Sequence, residues 1–126
     1  MNLNDIKGWH DCCQEWRVHE NRDSEIYLPD LIPMLEIRKP IAIDHQDIAW
    51  WCMDTPERKI DSRYYNCDIM FPGIVADGVI NPFGKRYRMV DGSHRMAKMK
   101  LETKYTKSYF FVITKEEFYS ILRDVT

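Results

Sequence analysis

The chain has 126 residues, of which 44% are hydrophobic and 30% are charged, and its formal net charge is −2 at pH 7. This length and composition predict one globular domain with a proper core and exclude a disordered or fibrous chain. The slight negative charge supplies no overall field for a polyanion, so nonspecific binding of nucleic acid is not expected.

The N-terminal segment has the pattern of an amphipathic helix. Its apolar residues recur at three- and four-residue steps: Leu3, Ile6, Trp9, Cys13 and Trp16. This spacing predicts a helix over about 4–19, within an N-terminal segment 1–20 that stands outside the domain core. The polar stretch "ENRDSE" then follows as a connector.

Cysteine and histidine spacing does not favour a metal site. His10 and Cys13 are three residues apart on the predicted helix and His19 follows, but this pattern is more typical of a small core cysteine than of a ligand set. The four cysteines show no C-x-x-C spacing and no signal-peptide pattern opens the chain, so reduced thiols in a cytoplasmic protein are expected. No apolar run approaches the roughly 20 residues of a membrane span.

Proline punctuates the next stretch, "YLPDLIPMLEIRKPIAID". Because proline cannot donate a hydrogen bond to a sheet, only short strands are predicted, near 34–37 and 41–43. Asp44 then resembles an N-cap for a helix over "HQDIAWWCMD", with Asp47 at the third helical position of a capping box.

The stretch 54–68 is predicted to be a charged loop. Arg58, Lys59 and Arg63 lie within it. Such a run is usually a solvated face, and a lid that reaches over a bound phosphate is the alternative function.

Several large apolar side chains are expected to fill the core. Trp50 and Trp51 are predicted to pack there rather than to stack on a base. Met89, Met96 and Met99 are predicted to pack the helix of the second half onto a sheet, because methionine adapts to irregular gaps.

The second half alternates strand and helix signals. "FPGIVA" and "YRMV" read as short strands, and "SHRMAKMKLE" as a helix that ends near Glu102. "KSYFFVI" is predicted to be a central strand. Thr114 and Glu117 form a capping box for a C-terminal helix within 114–126. The mixed order predicts an α+β fold with a small mixed sheet flanked by helices.

The junction "VDGSHR" between a strand and a helix is the candidate binding site. The first backbone N–H groups of a helix lack intrahelical partners and carry partial positive charge, so phosphate binds readily there. Gly92 lets the backbone approach a ligand, and Ser93 is a candidate for capping the helix and donating its hydroxyl. His94 offers N–H donors, and the guanidinium of Arg95 can grip two phosphate oxygens.

Asp91 is unexpected beside an anion. Its carboxylate is explained if Mg²⁺ bridges it to phosphate, or if it accepts a proton from a hydroxyl that attacks phosphorus. A purely structural interpretation stays open, in which Asp91 or Ser93 only caps the helix and Gly92 only turns the chain.

The stretch "YRMVDGSHRMAKMKL" resembles the phosphate-binding signature of the ParB/sulfiredoxin superfamily, in which a strand ends in a Gly-x-His-Arg or Gly-x-Arg-Arg turn before a helix. The resemblance covers about 34–113, including "FPGIVADGVINPF" and "YFFVI". It implies one ParB/sulfiredoxin-like domain over 1–126, with an extra N-terminal helix.

The branches of this superfamily differ at the turn. Sulfiredoxins carry a catalytic cysteine where this chain has Ser93, and the chromosome-partitioning proteins bind CTP and carry a helix-turn-helix domain downstream. Free-serine kinases carry Asp-Gly-His-His-Arg, which matches this chain at Asp91, Gly92, His94 and Arg95 and is the most similar of the three.

The kinase resemblance implies a catalytic or metal-linked role for Asp91, with Gly92, Ser93, His94 and Arg95 holding the polyphosphate. The kinases also use an upstream glutamate to activate the acceptor hydroxyl. This chain has "IDHQDI" there, so Asp44 or Asp47 would serve, although both are also good capping residues.

The leading prediction is therefore a protein that binds a nucleotide polyphosphate such as ATP, ADP or CTP, together with Mg²⁺, and transfers phosphate to a small hydroxyl-bearing acceptor. A non-catalytic nucleotide-sensing or regulatory module is the alternative. A ParB-like nuclease would also use Asp91 and a metal, but it needs a basic surface track that the composition does not suggest. The oligomeric state stays open.

Overall fold

The computed structural model describes residues 15–17, 24–50 and 52–124. These residues form an α+β fold. Its strands, in chain order, are β1 (Glu15–Arg17), β2 (Ser24–Tyr27), β3 (Ile41–Asp44), β4 (Ile48–Ala49), β5 (Gly73–Asp77), β6 (Tyr87–Asp91), β7 (Lys107–Ile113) and β8 (Leu122–Asp124). Its α-helices are α1 (Ile32–Leu35), α2 (Ser62–Asn66), α3 (Ser93–Glu102) and α4 (Lys115–Ile121). Short 3-10 helices lie at Leu28–Leu31, His45–Asp47 and Pro56–Lys59.

A five-stranded mixed sheet is the centre of the described part of the chain. Its strand order is β3-β7-β5-β6-β4. β3 pairs antiparallel with β7, and β5 with β6, whereas β5 and β7, and also β4 and β6, run parallel. Only His45–Asp47 connect β3 to β4 at the opposite edge, so the sheet must curl. A smaller antiparallel sheet has the order β1-β2-β8.

Side chains along each strand of the large sheet point alternately to its two faces. Apolar side chains pack against both faces, so the sheet is buried on both sides. Ile74 and Ala76 pack in a cluster with Phe118 of α4 and Leu35 of α1. Val75 points the other way and packs in a second cluster with residues of α2 and α3. The expected methionine packing is confirmed, since the second cluster contains Met89, Met96 and Met99, each at most 3% exposed. Trp50 also lies in this cluster, as predicted, whereas Trp51 lies outside the described residues.

The predictions for the two strands, the helix and the strand between residues 69 and 113 agree with the structure. β5, β6, α3 and β7 form where the sequence patterns indicate them, and β7 lies between β3 and β5 in the sheet. The capping box of α4 is confirmed as well: the N–H of Glu117 donates to Thr114 Oγ1 at 3.1 Å, and the N–H of Thr114 donates to Glu117 Oε1 at 2.8 Å.

Thr114→Ala is therefore expected to lower the free energy of unfolding by about 1 kcal/mol, because it removes one cap acceptor from the start of α4. Urea denaturation measures this change. Thr106→Ala, an exposed loop substitution, is the control. Equal stability of Thr114→Ala and wild type would show that the capping box does not hold α4.

Four predicted elements differ from the structure where it describes them: the N-terminal helix, the strand over 34–37, the helix after Asp44 and the full length of the C-terminal helix. Most of the predicted helix over 4–19 lies outside the described residues, but Glu15–Arg17 form a strand paired with β2. Residues 34–37 do not form a strand, because Pro33 lies in the first turn of α1, where proline is tolerated. Asp44 does cap His45–Asp47, as Gln46 N donates to its Oδ1 at 3.1 Å, but the helix stops after one 3-10 turn.

Pairing in a sheet explains two of these errors. Ile48 and Ala49, expected in a helix, pair in parallel with Tyr87 and Arg88 of β6. The C-terminal helix ends at Ile121, because β8 follows at once and pairs with β2. Hydrogen bonds to a distant strand here outweigh the local helical pattern.

The charged stretch 54–68 is not a loop throughout. Pro56–Lys59 and α2 both contact α3. Asp61 caps α2 by accepting a hydrogen bond from Tyr64 N at 3.1 Å, and the hydroxyl of Tyr64 donates to the carboxylate of Glu102. This stretch therefore lies against the helix that begins at the candidate site.

Candidate functional site

The candidate site lies where β6 passes into α3. Asp91 ends the strand, Gly92 is the N-cap residue, and Ser93 is the first helical residue. The expectation that Ser93 or Asp91 is the N-cap residue of α3 is wrong, because Gly92 takes that position and has no side chain to cap the helix. The first intrahelical hydrogen bond runs from Met96 N to Gly92 O at 2.9 Å. The backbone N–H groups that precede Met96 in α3 thus have no intrahelical partner, a feature that favours an anion in general.

Two glycines allow a close approach of β5 to this turn. Gly92 has φ +126°, a conformation that strongly favours glycine. A Cβ on Gly92 would lie 3.3 Å from the Cα of Gly73 at the start of β5. A Cβ on Gly73 would lie only 2.9 Å from the carbonyl oxygen of Asp91. The sequence analysis identified Gly92 but missed Gly73, since only the pairing of β5 with β6 brings it there.

Asp91 and Arg95 form a buried ion pair beneath the turn. Arg95 Nη1 lies 3.6 Å from Asp91 Oδ2, and the two side chains are 3% and 9% exposed. The guanidinium also lies over the ring of Phe71, 5.0 Å from its centroid. Oδ2 of Asp91 accepts no hydrogen bond from the described residues. For Arg95 to grip a phosphate, as the sequence predicts, this pair would have to open.

The pKa of Asp91 is raised above its usual value because burial disfavours the carboxylate, and the charge of Arg95 opposes this shift. A raised pKa brings a carboxyl group nearer to neutral pH, which suits a general base. A buried carboxyl group without a chemical role has a raised pKa for the same reason. The raised pKa of Asp91 is therefore consistent with a catalytic role and with a purely structural role.

His94 is the partly exposed cationic candidate at the start of α3. Its Nε2 lies 3.2 Å from Asp61 Oδ2, and its side chain is 18% exposed. Burial lowers the pKa of His94, the nearby charges of Lys59 and Arg63 lower it further, and Asp61 opposes them. Burial and the two cations therefore favour the neutral imidazole, which can donate one hydrogen bond.

The 54–68 stretch surrounds this imidazole with charge. Lys59 ends a 3-10 helix and Arg63 lies in α2, and both of these elements contact α3. Both cations lower the pKa of His94. The predicted lid over a phosphate stays a prediction. Asp61 is a residue that the sequence analysis missed, although Asp before "SRYYN" has the pattern of a helix N-cap.

Asp44 and Asp47 do not lie at the turn. Asp47 directly precedes Ile48, whose Cα pairs with Tyr87 at the start of β6, whereas Asp91 ends that strand. Four residues separate Tyr87 from Asp91, roughly 13 Å along a strand that rises about 3.3 Å per residue. The structure therefore does not bring the two predicted acceptor-activating carboxylates together with Asp91.

No protein-built metal cluster accompanies Asp91. Among the described residues, no group of three or more His, Cys, Asp and Glu side chains could hold a metal ion. Mg²⁺ commonly binds through one or two carboxylates and completes its shell with phosphate and water, so Asp91 alone fits it only as part of a nucleotide complex. His10, Cys13 and His19 lie outside the described residues.

A pocket of about 680 Å³ lies at the other end of α3. Asp44 is part of its lining, together with His45, Trp50, Lys85, Lys100 and Lys104. Since α3 has ten residues and is about 15 Å long, the pocket and the turn are separate features. The sequence analysis did not predict this pocket, because its lining comes from three segments distant in the chain.

The fold and the turn define an α+β protein with a curled mixed sheet and an uncapped helix N-terminus after β6. The chain matches no protein-family model, no curated protein and no solved structure. The likeness to the ParB/sulfiredoxin superfamily therefore stays a prediction that rests on "DGSHR" and its flanking strand and helix. Within the part of the chain that the structure describes, no helix has the length and apolar character needed to cross a membrane.

Proposed function

We propose that the protein binds a nucleotide polyphosphate, with the phosphate groups at the start of α3. The uncapped N-terminus of α3 after Gly92 is the observation that carries the proposal. Backbone N–H groups and the helix dipole favour an anion there. His94 is the second residue of this helix, and Lys59 and Arg63, which lie in elements that contact α3, supply positive charge.

ATP, ADP and CTP are the ligands of this proposal, with Mg²⁺ bridging phosphate oxygens. In the catalytic version Asp91 holds the metal or accepts the proton of a small hydroxyl-bearing acceptor. This version requires the pair of Asp91 and Arg95 to open, so that the carboxylate reaches the metal and the guanidinium reaches phosphate. Its location would be the cytoplasm, where nucleotides are abundant.

A non-catalytic nucleotide-sensing module is the second candidate. The position of Asp47 near the start of β6 and of Asp44 in the lining of the pocket favours it, because neither of the two predicted acceptor-activating carboxylates then lies beside Asp91. The burial of Asp91 against Arg95 favours it too, since a structural ion pair needs no chemistry.

Calorimetric titration with ATP, ADP and CTP, each with and without Mg²⁺, tests the binding proposal. We expect saturable binding that His94→Ala weakens roughly tenfold, because it removes a hydrogen bond to a charged group. His45→Ala is the matched control, since His45 is also half-buried but lies at the pocket end of α3. Absence of binding by all three nucleotides, or equal weakening by both variants, would refute the phosphate site.

Turnover separates the two candidates. A phosphotransferase consumes ATP or ADP when a small hydroxyl acceptor such as serine is supplied, whereas a sensing module binds without turnover. Asp91→Asn is expected to abolish turnover and to leave nucleotide binding in place, provided that circular dichroism shows the variant folded at the assay temperature. Turnover that survives in folded Asp91→Asn would exclude Asp91 from the chemistry.

Nucleotide affinity is expected to increase as the pH falls from about 7.5 to about 5.5. The pKa of His94 lies below its ordinary value of 6.5 in the free protein, and a bound anion favours the imidazolium form, so binding takes up a proton. Phosphate itself also titrates near pH 6. Because phosphate titrates equally with both proteins, the difference in affinity between wild type and His94→Ala at each pH reports His94 alone. If His94→Ala showed the same pH dependence as wild type, His94 would not be the group that takes up the proton.

A further inference from the structure

The pocket at the C-terminal end of α3 is a second feature that can hold a ligand. Its volume of about 680 Å³ falls in the range of small-molecule sites. It shares no lining residue with the turn from Asp91 to Arg95. A ligand here would therefore act independently of a nucleotide at the start of α3.

The lining carries excess positive charge. Lys85, Lys100 and Lys104 line the pocket, and Asp44 is the acidic residue of the lining. Lys100 Nζ donates to the carbonyl oxygen of Met53 at 2.9 Å, and the end of α3 contributes partial negative charge. Lys85 and Lys104 then remain as the cations available to meet an anion, and they belong to different loops.

The floor of the pocket is apolar and partly aromatic. Trp50, which is 6% exposed, lines it together with Met53 and Met96. The indole of Trp50 and the thioethers of Met53 and Met96 suit a ligand with a flat ring, because aromatic and sulfur-containing side chains both pack well on aromatic faces.

The rim is held in place by hydrogen bonds from side chains to the backbone. The nearly buried Asn81 accepts from Lys85 N at 3.0 Å and donates to Lys85 O at 2.7 Å, so it fixes the loop that carries this lysine. Thr103 Oγ1 donates to Met99 O at 2.6 Å and accepts from Tyr105 N at 3.1 Å, which orders the loop that carries Lys104.

The third side of the rim is ordered in the same way. His45 N donates to Thr106 O at 2.8 Å, and the His45 ring is hydrogen-bonded to Ser108 Oγ at 2.7 Å. Because these hydrogen bonds already order the loops around the pocket, the loops lose little conformational freedom when a ligand binds, and this raises the affinity.

We propose that this pocket binds a small anion that carries an aromatic ring, with the ring against Trp50 and the anionic group between Lys85 and Lys104. Phosphate and carboxylate share the chemistry that the lysines recognise. The proposal does not depend on nucleotide binding at the turn.

Titration of the full chain with phenyl phosphate and with benzoate, followed by amide chemical shifts and calorimetry, tests the proposal. Benzyl alcohol is the uncharged control probe. We expect saturable binding of at least one of the two anions, with shifts at Lys85 and Thr103–Thr106, and much weaker binding of benzyl alcohol. The anion that binds more tightly identifies the preferred group.

Variants assign the binding to the pocket. Lys85→Gln and Lys104→Gln are each expected to weaken binding about tenfold, whereas Lys115→Gln on α4 and His94→Ala at the turn leave it unchanged. Both pocket lysines are at least partly exposed, so their substitution leaves the core intact. The proposal fails if neither anion saturates, if benzyl alcohol binds as tightly, if the pocket variants bind as wild type does, or if His94→Ala removes binding.

Discussion

Asp91→Asn is expected to lower the free energy of unfolding by about 3–5 kcal/mol, because it leaves the charge of Arg95 buried without its carboxylate. Arg95 is 3% exposed and lies 3.6 Å from Asp91 Oδ2, so water cannot replace the missing partner. Urea denaturation at pH 7 measures the change. Asp77→Asn is the matched control, since Asp77 pairs with the exposed Arg86 and a solvated pair contributes little to stability.

A double-mutant cycle separates the pair from its parts. Arg95→Met removes the cation and keeps most of the side-chain volume, and it is also expected to be strongly destabilising. The double variant Asp91→Asn/Arg95→Met removes both charges together, so its loss of stability should be smaller than the sum of the two single losses. Additive losses would mean that Asp91 and Arg95 do not act as an ion pair.

The pH dependence of Arg95→Met gives an independent readout. Burial already raises the pKa of Asp91, and Arg95 opposes the shift, so removal of Arg95 should raise this pKa further. A group with a raised folded-state pKa contributes stability at low pH and loses it as the pH rises. Arg95→Met should therefore recover stability relative to wild type as the pH falls from 7 towards 5, and a pH-independent difference would contradict this account.

Gly73→Ala is expected to lower the free energy of unfolding by about 1–3 kcal/mol through steric overlap. The added Cβ would lie 2.9 Å from the carbonyl oxygen of Asp91 and 3.0 Å from the ring of Phe110. The ring can shift, but the carbonyl belongs to β6 and can move only if the strand moves. The substitution should therefore also disturb the amide shifts of Gly92 and Ser93, which NMR detects.

Gly84→Ala is the control for this experiment. Gly84 has φ +64°, and no heavy atom of the described residues lies within 4 Å of an added Cβ, so its effect reports backbone conformation alone. We expect about 1 kcal/mol from this conformation and unchanged shifts at the turn. If Gly84→Ala were more destabilising than Gly73→Ala, close packing at the base of the turn would not be important.

The central elements could be predicted from the sequence because their signals are local and agree with one another. α3 follows a turn with Asp-Gly and consists of good helix formers, and α4 begins at a capping box of Thr114 and Glu117 whose two hydrogen bonds span three residues. β5, β6 and β7 are short apolar runs bounded by turn residues. The expected junction of strand, turn and helix lies at the predicted residues for the same reason.

The outer elements could not be predicted because distant partners decide them. Glu15–Arg17 and Leu122–Asp124 are strands through their pairing with β2, and Ile48 and Ala49 are a strand through their pairing with β6. In each case the local pattern indicates a helix. Sheet hydrogen bonds from residues far along the chain outweigh a helix preference that amounts to tenths of a kcal/mol per residue.

The sequence by itself determined the turn from Asp91 to Arg95, the helix that follows it and the chemistry that such a helix start offers. Only the tertiary structure decided that Asp91 and Arg95 are buried together, that His94 meets Asp61, and that Asp47 lies near the far end of β6. It alone also assembled the pocket beside Trp50. The physical reason is that capping and turn formation act over a few residues, whereas burial and charge pairing depend on how strands distant in the chain come together.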